Sequence, residues 1–249
     1  MTRIRAALTH LLISATLSAI VICLLLFGWY PLPFFWALGG LMLLILIVGI
    51  DVVLGPVMTL ILFNPEKSRR ELILDLSLIA IVQISALGYG LYSGYISRLV
   101  YGVFDGKVFQ LVQASEIPPK FVLEAKRPEF RSLSQVGHGY IATVVPDTEQ
   151  AASDMTFFRA LGVGPQNLPD FYVPLSEVTG QLRQASIPMQ QLQSKHASLA
   201  DNINDVVKAA GLAQDEVAVV PFNVRTSTYT AVVNMKTVTM LKVIAENPG

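Results

Sequence analysis

The residue types that most often carry chemistry are few in this sequence, and their spacing does not favour a reaction. His10, His138 and His196 are the only histidines, and no two of them stand at a metal-ligand spacing. Cys23 is the single cysteine and lies inside an apolar run, where a thiol is inert. There is no G-x-S-x-G elbow and no S-x-x-K with its supporting motifs. Gly162-Val163-Gly164-Pro165 matches half of a phosphate loop, but a helical pattern precedes it where a strand is needed. Asp215-Glu216 and Glu124/Glu129 are paired carboxylates that read as solvated loop residues. No catalytic residue, metal ligand set or cofactor site is expected, which leaves binding or scaffolding.

Asp51 is the most informative single residue because of what surrounds it. It interrupts an apolar run from about Phe34 to Phe63, some twelve residues from the nearer charged loop, or roughly 18 Å deep at 1.5 Å per residue. A carboxylate at such a depth in a bilayer costs about 2.5–3.5 kcal/mol, so it must be protonated, hydrogen-bonded or paired. In an antiparallel pairing across the following loop, Gln83 and Ser85 fall at nearly the same depth, and Asp75 falls level with Thr59. One reading is a polar clamp between two helices, worth about 0.6–2 kcal/mol per hydrogen bond. The sharper reading is a site for a partner helix or an ion. Gly55-Pro56 follows one turn later, and Pro56 is expected to kink the helix, unless the span ends near Leu54 and residues 57–63 lie at the interface.

The elements that must position these residues follow from composition. Of 249 residues, 53% are hydrophobic and 14% charged, the mean hydropathy is +0.54, and 18 basic residues balance 18 acidic ones. That profile excludes a disordered chain and, lacking a basic excess, a nucleic-acid binder. Nine charged side chains fall in residues 1–97 and the rest beyond, so the chain divides into an apolar front (1–97) and an ordinary globular back (98–249). Three stretches, about 6–28, 34–63 and 72–94, are long enough to span a bilayer and must then be helical. The first exceeds a signal-peptide core and lacks an A-x-A-like cleavage site, so a retained helix is expected. Ser14/Ser18 and Gly90/Gly94 offer close-approach faces of low specificity. Arg3 and Arg5 at the front, and Lys67, Arg69 and Arg70 in the second loop, place both on the cytoplasmic side. Residues 98–249 then lie outside the cytoplasm, in the periplasm of a bacterium.

The back half reads as an α+β domain with one antiparallel sheet and inserted helices. Val100–Phe104 and Lys107–Val112 flank Asp105-Gly106, the favoured dipeptide of a type I′ hairpin. Residues 115–135 are expected to be loop with a short extended piece at 121–125. Tyr140–Val145 is rich in strand formers, Asp147 is the expected cap of a helix that Gly162 ends, and helices follow over about Ser176–Ala185 and Pro188–Ala210. In the longer one Met189, Leu192, His196, Leu199, Ile203, Val206 and Ala210 form a helical stripe. Val217–Val224, Tyr229–Val233 and Val238–Ile244 close the chain as strands.

The run Gly49-Ile-Asp51-Val-Val-Leu-Gly55-Pro56-Val-Met-Thr59-Leu-Ile-Leu-Phe63-Asn64-Pro65-Glu-Lys67 resembles the G-x-D-x-x-L-G-P-x-x-T-L-x-x-F-N-P-x-K signature of type IV pilin accessory proteins, the TfpX/TfpZ and FimB-like group. Asp75-Leu-Ser-Leu-Ile-Ala, Gln83 to Tyr92 and Tyr101-Gly-Val-Phe104 continue the resemblance, strongest over residues 49–104. Phe171-Tyr-Val-Pro174-Leu and the Tyr229–Ile244 hairpin fit loosely. Arg98-Leu99 departs from the family's Arg-Pro, and Glu66–Glu71 is less basic than the usual loop. The resemblance implies a non-enzymatic, multi-pass inner-membrane protein of type IV pilus biogenesis, without a cofactor. Its implied partners are the major pilin, other pilus inner-membrane components and the bilayer. Asp51, Gln83 and Asp75, with Gly55, Pro56, Thr59 and Ser85 beside them, are then the expected polar pocket for a pilin's terminus. Alternatives are an envelope sensor, a scaffold of another secretion or pilus complex, or a membrane transferase. The cytoplasmic side is too short for an output domain, and no acid–base constellation serves the last.

Overall fold

The computed structural model describes residues 2–248, of which those up to Arg98 form one compact unit and those from Leu99 onward a second. In the first unit α1 (Arg3–Leu24) starts where the Thr2 hydroxyl accepts from the Arg5 amide, and it continues as a π-helical turn over Leu25–Trp29. The short α2 (Phe34–Ala37) follows. The second span was expected to begin at Phe34, but Gly39 adopts φ +80° and separates α2 from α3 (Gly40–Ile47). Only glycine enters that left-handed region without strain, so the long helix starts six residues later than expected. From α3 it runs through a π-helical stretch, Val48–Leu54, into α4 (Gly55–Leu62). Pro56 therefore does not end the helix. Next, α5 (Arg69–Ile96) opens on a capping box in which Ser68 and Glu71 satisfy each other's backbone amides.

Three helical stretches, Arg3–Trp29, Gly40–Leu62 and Arg69–Ile96, are long and apolar enough to cross a membrane. Their outward positions, such as Leu12, Met42 and Ile84, are exposed and apolar, as lipid requires. The middle stretch packs on both others: α1 runs along the π-helical stretch and α4, and α5 runs along α3, the π-helical stretch and α4. Small residues line these seams. Ser14 and Ser18 are buried on α1, and Gly90 and Gly94 are buried on α5 against Ile47 and against Leu25 and Trp29.

The second unit is built on a seven-stranded sheet in the order β4-β3-β1-β2-β5-β6-β7. Its elements run β1 (Leu99–Phe104), β2 (Phe109–Gln113), α6 (Pro119–Leu123), β3 (Gly139–Thr143), α7 (Glu149–Ala160), β4 (Tyr172–Pro174), α8 (Thr179–Ala185), α9 (Met189–Lys195), α10 (Ala197–Ala209), β5 (Val217–Val224), β6 (Ser227–Asn234) and β7 (Thr239–Ile244). The sheet is mixed, which corrects the expected antiparallel one. The pairs β1/β3 and β2/β5 are parallel, because the chain crosses over between them through helices rather than turning back.

Local chemistry explains the remaining differences. Phe104 pairs with Phe109, so the first hairpin has a four-residue loop instead of a two-residue type I′ turn. The Asp105 carboxylate organises it by accepting from the amides of Lys107 and Val108. Pro119 starts α6 where an extended piece was expected, since proline suits the first helical position. The Thr148 hydroxyl caps α7, not Asp147. His196, at φ −140° and ψ 63°, breaks the expected long helix into α9 and α10. The break shifts the buried stripe to Leu192, Leu199, Ala200, Ile203 and Val207, which pack on Val217, Val219 and Val232 of β5 and β6. Each such aliphatic burial is worth about 1.5–3 kcal/mol. A second core forms where Val100, Val103, Val112 and Ile141 meet Ile117, Phe130 and Tyr172.

Candidate functional site in the helical unit

The π-helical stretch is the key to the site. Its bonds run from each amide to the carbonyl five residues back, as the Gly55 amide to the Ile50 carbonyl shows. One residue further, the Asp51 carbonyl is left waiting for the amide of residue 56, and Pro56 has none. The Gln83 side chain of α5 supplies the missing donor, its Nε2 reaching the Asp51 carbonyl at 3.2 Å. Gly55 makes that reach possible, because a Cβ at position 55 would collide with the Gln83 amide. Gly-Pro thus works as a pair: proline frees a carbonyl, and glycine clears the path of the side chain that satisfies it.

This fixes the hydrogen bonds beyond. A carbonyl only accepts, so Gln83 must turn Nε2 towards Asp51 and Oε1 towards His10. His10 Nε2 then donates to Gln83 Oε1 at 2.8 Å, and His10 Nδ1 shares a hydrogen bond of 2.5 Å with the Thr59 hydroxyl. The second Nε2 hydrogen of Gln83 points to Ser14 Oγ at 3.5 Å. Residues from α1, the π-helical stretch, α4 and α5 therefore join in one network.

The Asp51 carboxyl stands apart from that network. The residue is only 3% exposed, and its Oδ2 has no hydrogen-bond partner among the described residues. It borders a groove of about 130 Å³ between α1 and α5, also lined by His10, Ser14 and Gln83 and by apolar Ile13 and Ile84. Ser18 Oγ is likewise buried without a partner. On the other side of Gln83 a second, apolar cavity of about 220 Å³ lies between α4 and α5, with Leu54, Met58, Leu78 and Val82 on its walls.

Of the seven residues singled out from the sequence, the structure gathers Asp51, Gly55, Pro56, Thr59 and Gln83. Thr59 and Gln83 meet through His10. Asp75 lies elsewhere: its carboxylate binds the Lys67 ammonium at 2.6 Å, and Lys67 also donates to the Leu62 carbonyl. Ser85 is exposed on the outer side of α5. The clamp between the second and third long helices runs through the Asp51 carbonyl, not its carboxylate. His10, Ser14 and Ser18 were not read as one site. Their i, i+4, i+8 spacing on one face of α1 was the available signal.

In the second unit, a cavity of about 320 Å³ is lined by Phe121, Phe158 and Phe171 with Glu124, Lys126 and Asp154. The Lys126 ammonium lies 5.7 Å over the Phe171 ring. Elsewhere Arg127 grips the Glu177 carboxylate with two bonds of 2.7 Å, which holds that carboxyl below its ordinary range. His138 Nε2 meets the Tyr140 hydroxyl at 3.0 Å; burial pushes the imidazole down and the Tyr140 phenol up to about 12. These groups do not converge on a common reacting point.

No family model and no solved structure matches the chain. Three curated proteins of Dichelobacter nodosus do. The fimbrial assembly protein of serogroup I is 32% identical over 217 residues, covering 85% of this chain and 82% of the relative. That of serogroup E1 is 30% identical over 213 residues, with the same coverage of 85% and 82%. That of serogroups C1 and C2 is 46% identical over 91 residues, 36% of this chain and 70% of the relative.

Proposed function

The chain belongs to the family of fimbrial assembly proteins, and from that premise we propose that it serves the assembly of type IV pili at the bacterial inner membrane, as a TfpX/TfpZ-like accessory protein. In this reading the helical unit lies in the bilayer and retains the major pilin, a subunit that waits there as an apolar helix, before it joins the fibre. The unit Leu99–Gly249 lies on the periplasmic side and meets the pilin's globular head. The work is binding, with no bond made or broken. The observation that carries the reading is family membership over most of both chains; the seam of polar residues inside the three apolar helices supports it.

Surface pili counted in a strain lacking this chain test the proposal. Pili should fall sharply and return when the chain is supplied again. Repeating the count without the retraction motor separates two routes: recovery means that the chain opposes retraction, and no recovery means that it promotes extension or preserves pilin. Unchanged pilus number with the motor present would refute the role.

A further inference from the structure

We propose that the groove between α1 and α5 binds one ammonium group carried on an apolar membrane helix, with the Asp51 carboxyl as its receptor. The inference rests on the reading that the helical unit retains a membrane subunit, and it names the chemistry of the contact. Asp51 is 3% exposed, its Oδ2 has no donor among the described residues, and it borders the groove. A buried carboxylate oxygen without a donor is costly, so a site that keeps one is poised for a ligand.

Among the described residues no donor reaches that oxygen. Both Gln83 Nε2 hydrogens are directed to the Asp51 carbonyl and Ser14, and the Nε2 hydrogen of His10 goes to Gln83 Oε1. The Lys67 ammonium is held by Asp75 and the Leu62 carbonyl. The place beside it is open to a donor from another molecule. Ile13, Leu17, Ile84 and Leu87 form apolar walls, so that molecule approaches through lipid and is itself largely apolar. A compact ammonium suits so small a groove better than the broad, planar guanidinium does. The groove, at about 130 Å³, admits a small head group and no more.

The test uses the full chain in lipid vesicles, labelled with a fluorophore at Glu66→Cys, an exposed position of the loop before α5, in a Cys23→Ser background. The probes are two synthetic poly-leucine helices with an acceptor dye. They are identical except for one mid-helix position, lysine in one and norleucine in the other. The lysine helix should bind about tenfold more tightly, and Asp51→Asn, which keeps the shape of the side chain, should erase the difference. Asp75→Asn, which removes an acidic side chain outside the groove, should keep a preference for lysine. Equal binding of the two helices, or a preference that survives Asp51→Asn, would overturn the site. The two readings fail separately. Equal binding leaves the pilus role standing, whereas normal pili in the deletion strain leave the lysine preference standing.

Discussion

Pro56 shows how one residue can create a need that another, 27 positions away in sequence, satisfies. Its missing amide leaves the Asp51 carbonyl open inside an apolar bundle, and Gln83 closes it. Gln83→Ala should therefore lower stability in detergent by about 0.6–1.7 kcal/mol, the range of hydrogen bonds between membrane helices. Pro56→Ala restores a backbone amide at the position that the carbonyl faces. In that background Gln83→Ala should cost less, although His10 still loses a partner. A double-mutant cycle by thermal unfolding reads the coupling, and strict additivity would show that the carbonyl is not what ties the two residues. Gly55→Ala belongs to the same logic: its methyl would occupy the place of the Gln83 amide. The Asp51-x-x-x-Gly55-Pro56 pattern was legible in the sequence, but the hydrogen bond that unites it with Gln83 was not.

Strands and helices differ in how much of themselves they declare. The closing strands β5, β6 and β7 were readable within a few residues, since they are rich in valine and other strand formers and the turns between them are polar. α9 and α10 were readable as helical but not as two helices, because the break at His196 is a backbone event in residues that favour no particular turn. β3 carries a consequence of its place in the sheet. Pairing with β1 buries the Tyr140 ring against Phe109 and Phe222, with His138 beside it. His138 therefore sits below its ordinary value of 6.5 in the folded chain. The unfolded chain takes up a proton as the pH falls below about 6.5, while the folded chain resists it until lower pH, so acid favours unfolding. Amide exchange in β1 and β3, corrected for intrinsic rates, should show protection falling from pH 7 to pH 5. In His138→Gln that fall should be shallower, and an equal or steeper fall would contradict the assignment.

The whole chain is a membrane part and a folded part whose compositions differ, and its orientation is the largest consequence still open to test. Arg3, Arg5, Lys67, Arg69 and Arg70 flank the apolar helices on what should be one side. A reporter active only outside the cytoplasm should be active when fused after residue 249 and inactive within the Asn64–Ser68 loop. The reverse pattern would remove any contact between residues 99–249 and a pilin head. Composition alone distinguishes an apolar front from a back of ordinary composition, because hydrophobicity and helix length answer to the solvent and need no knowledge of neighbours. The mixed sheet, the start of the middle helix at Gly40 and the gathering of His10 with Thr59 and Gln83 were settled only by the folded chain. Strand direction depends on where crossovers lead, and a side chain inside lipid takes whichever partner packing brings within reach. A pattern of residue types along one chain records neither.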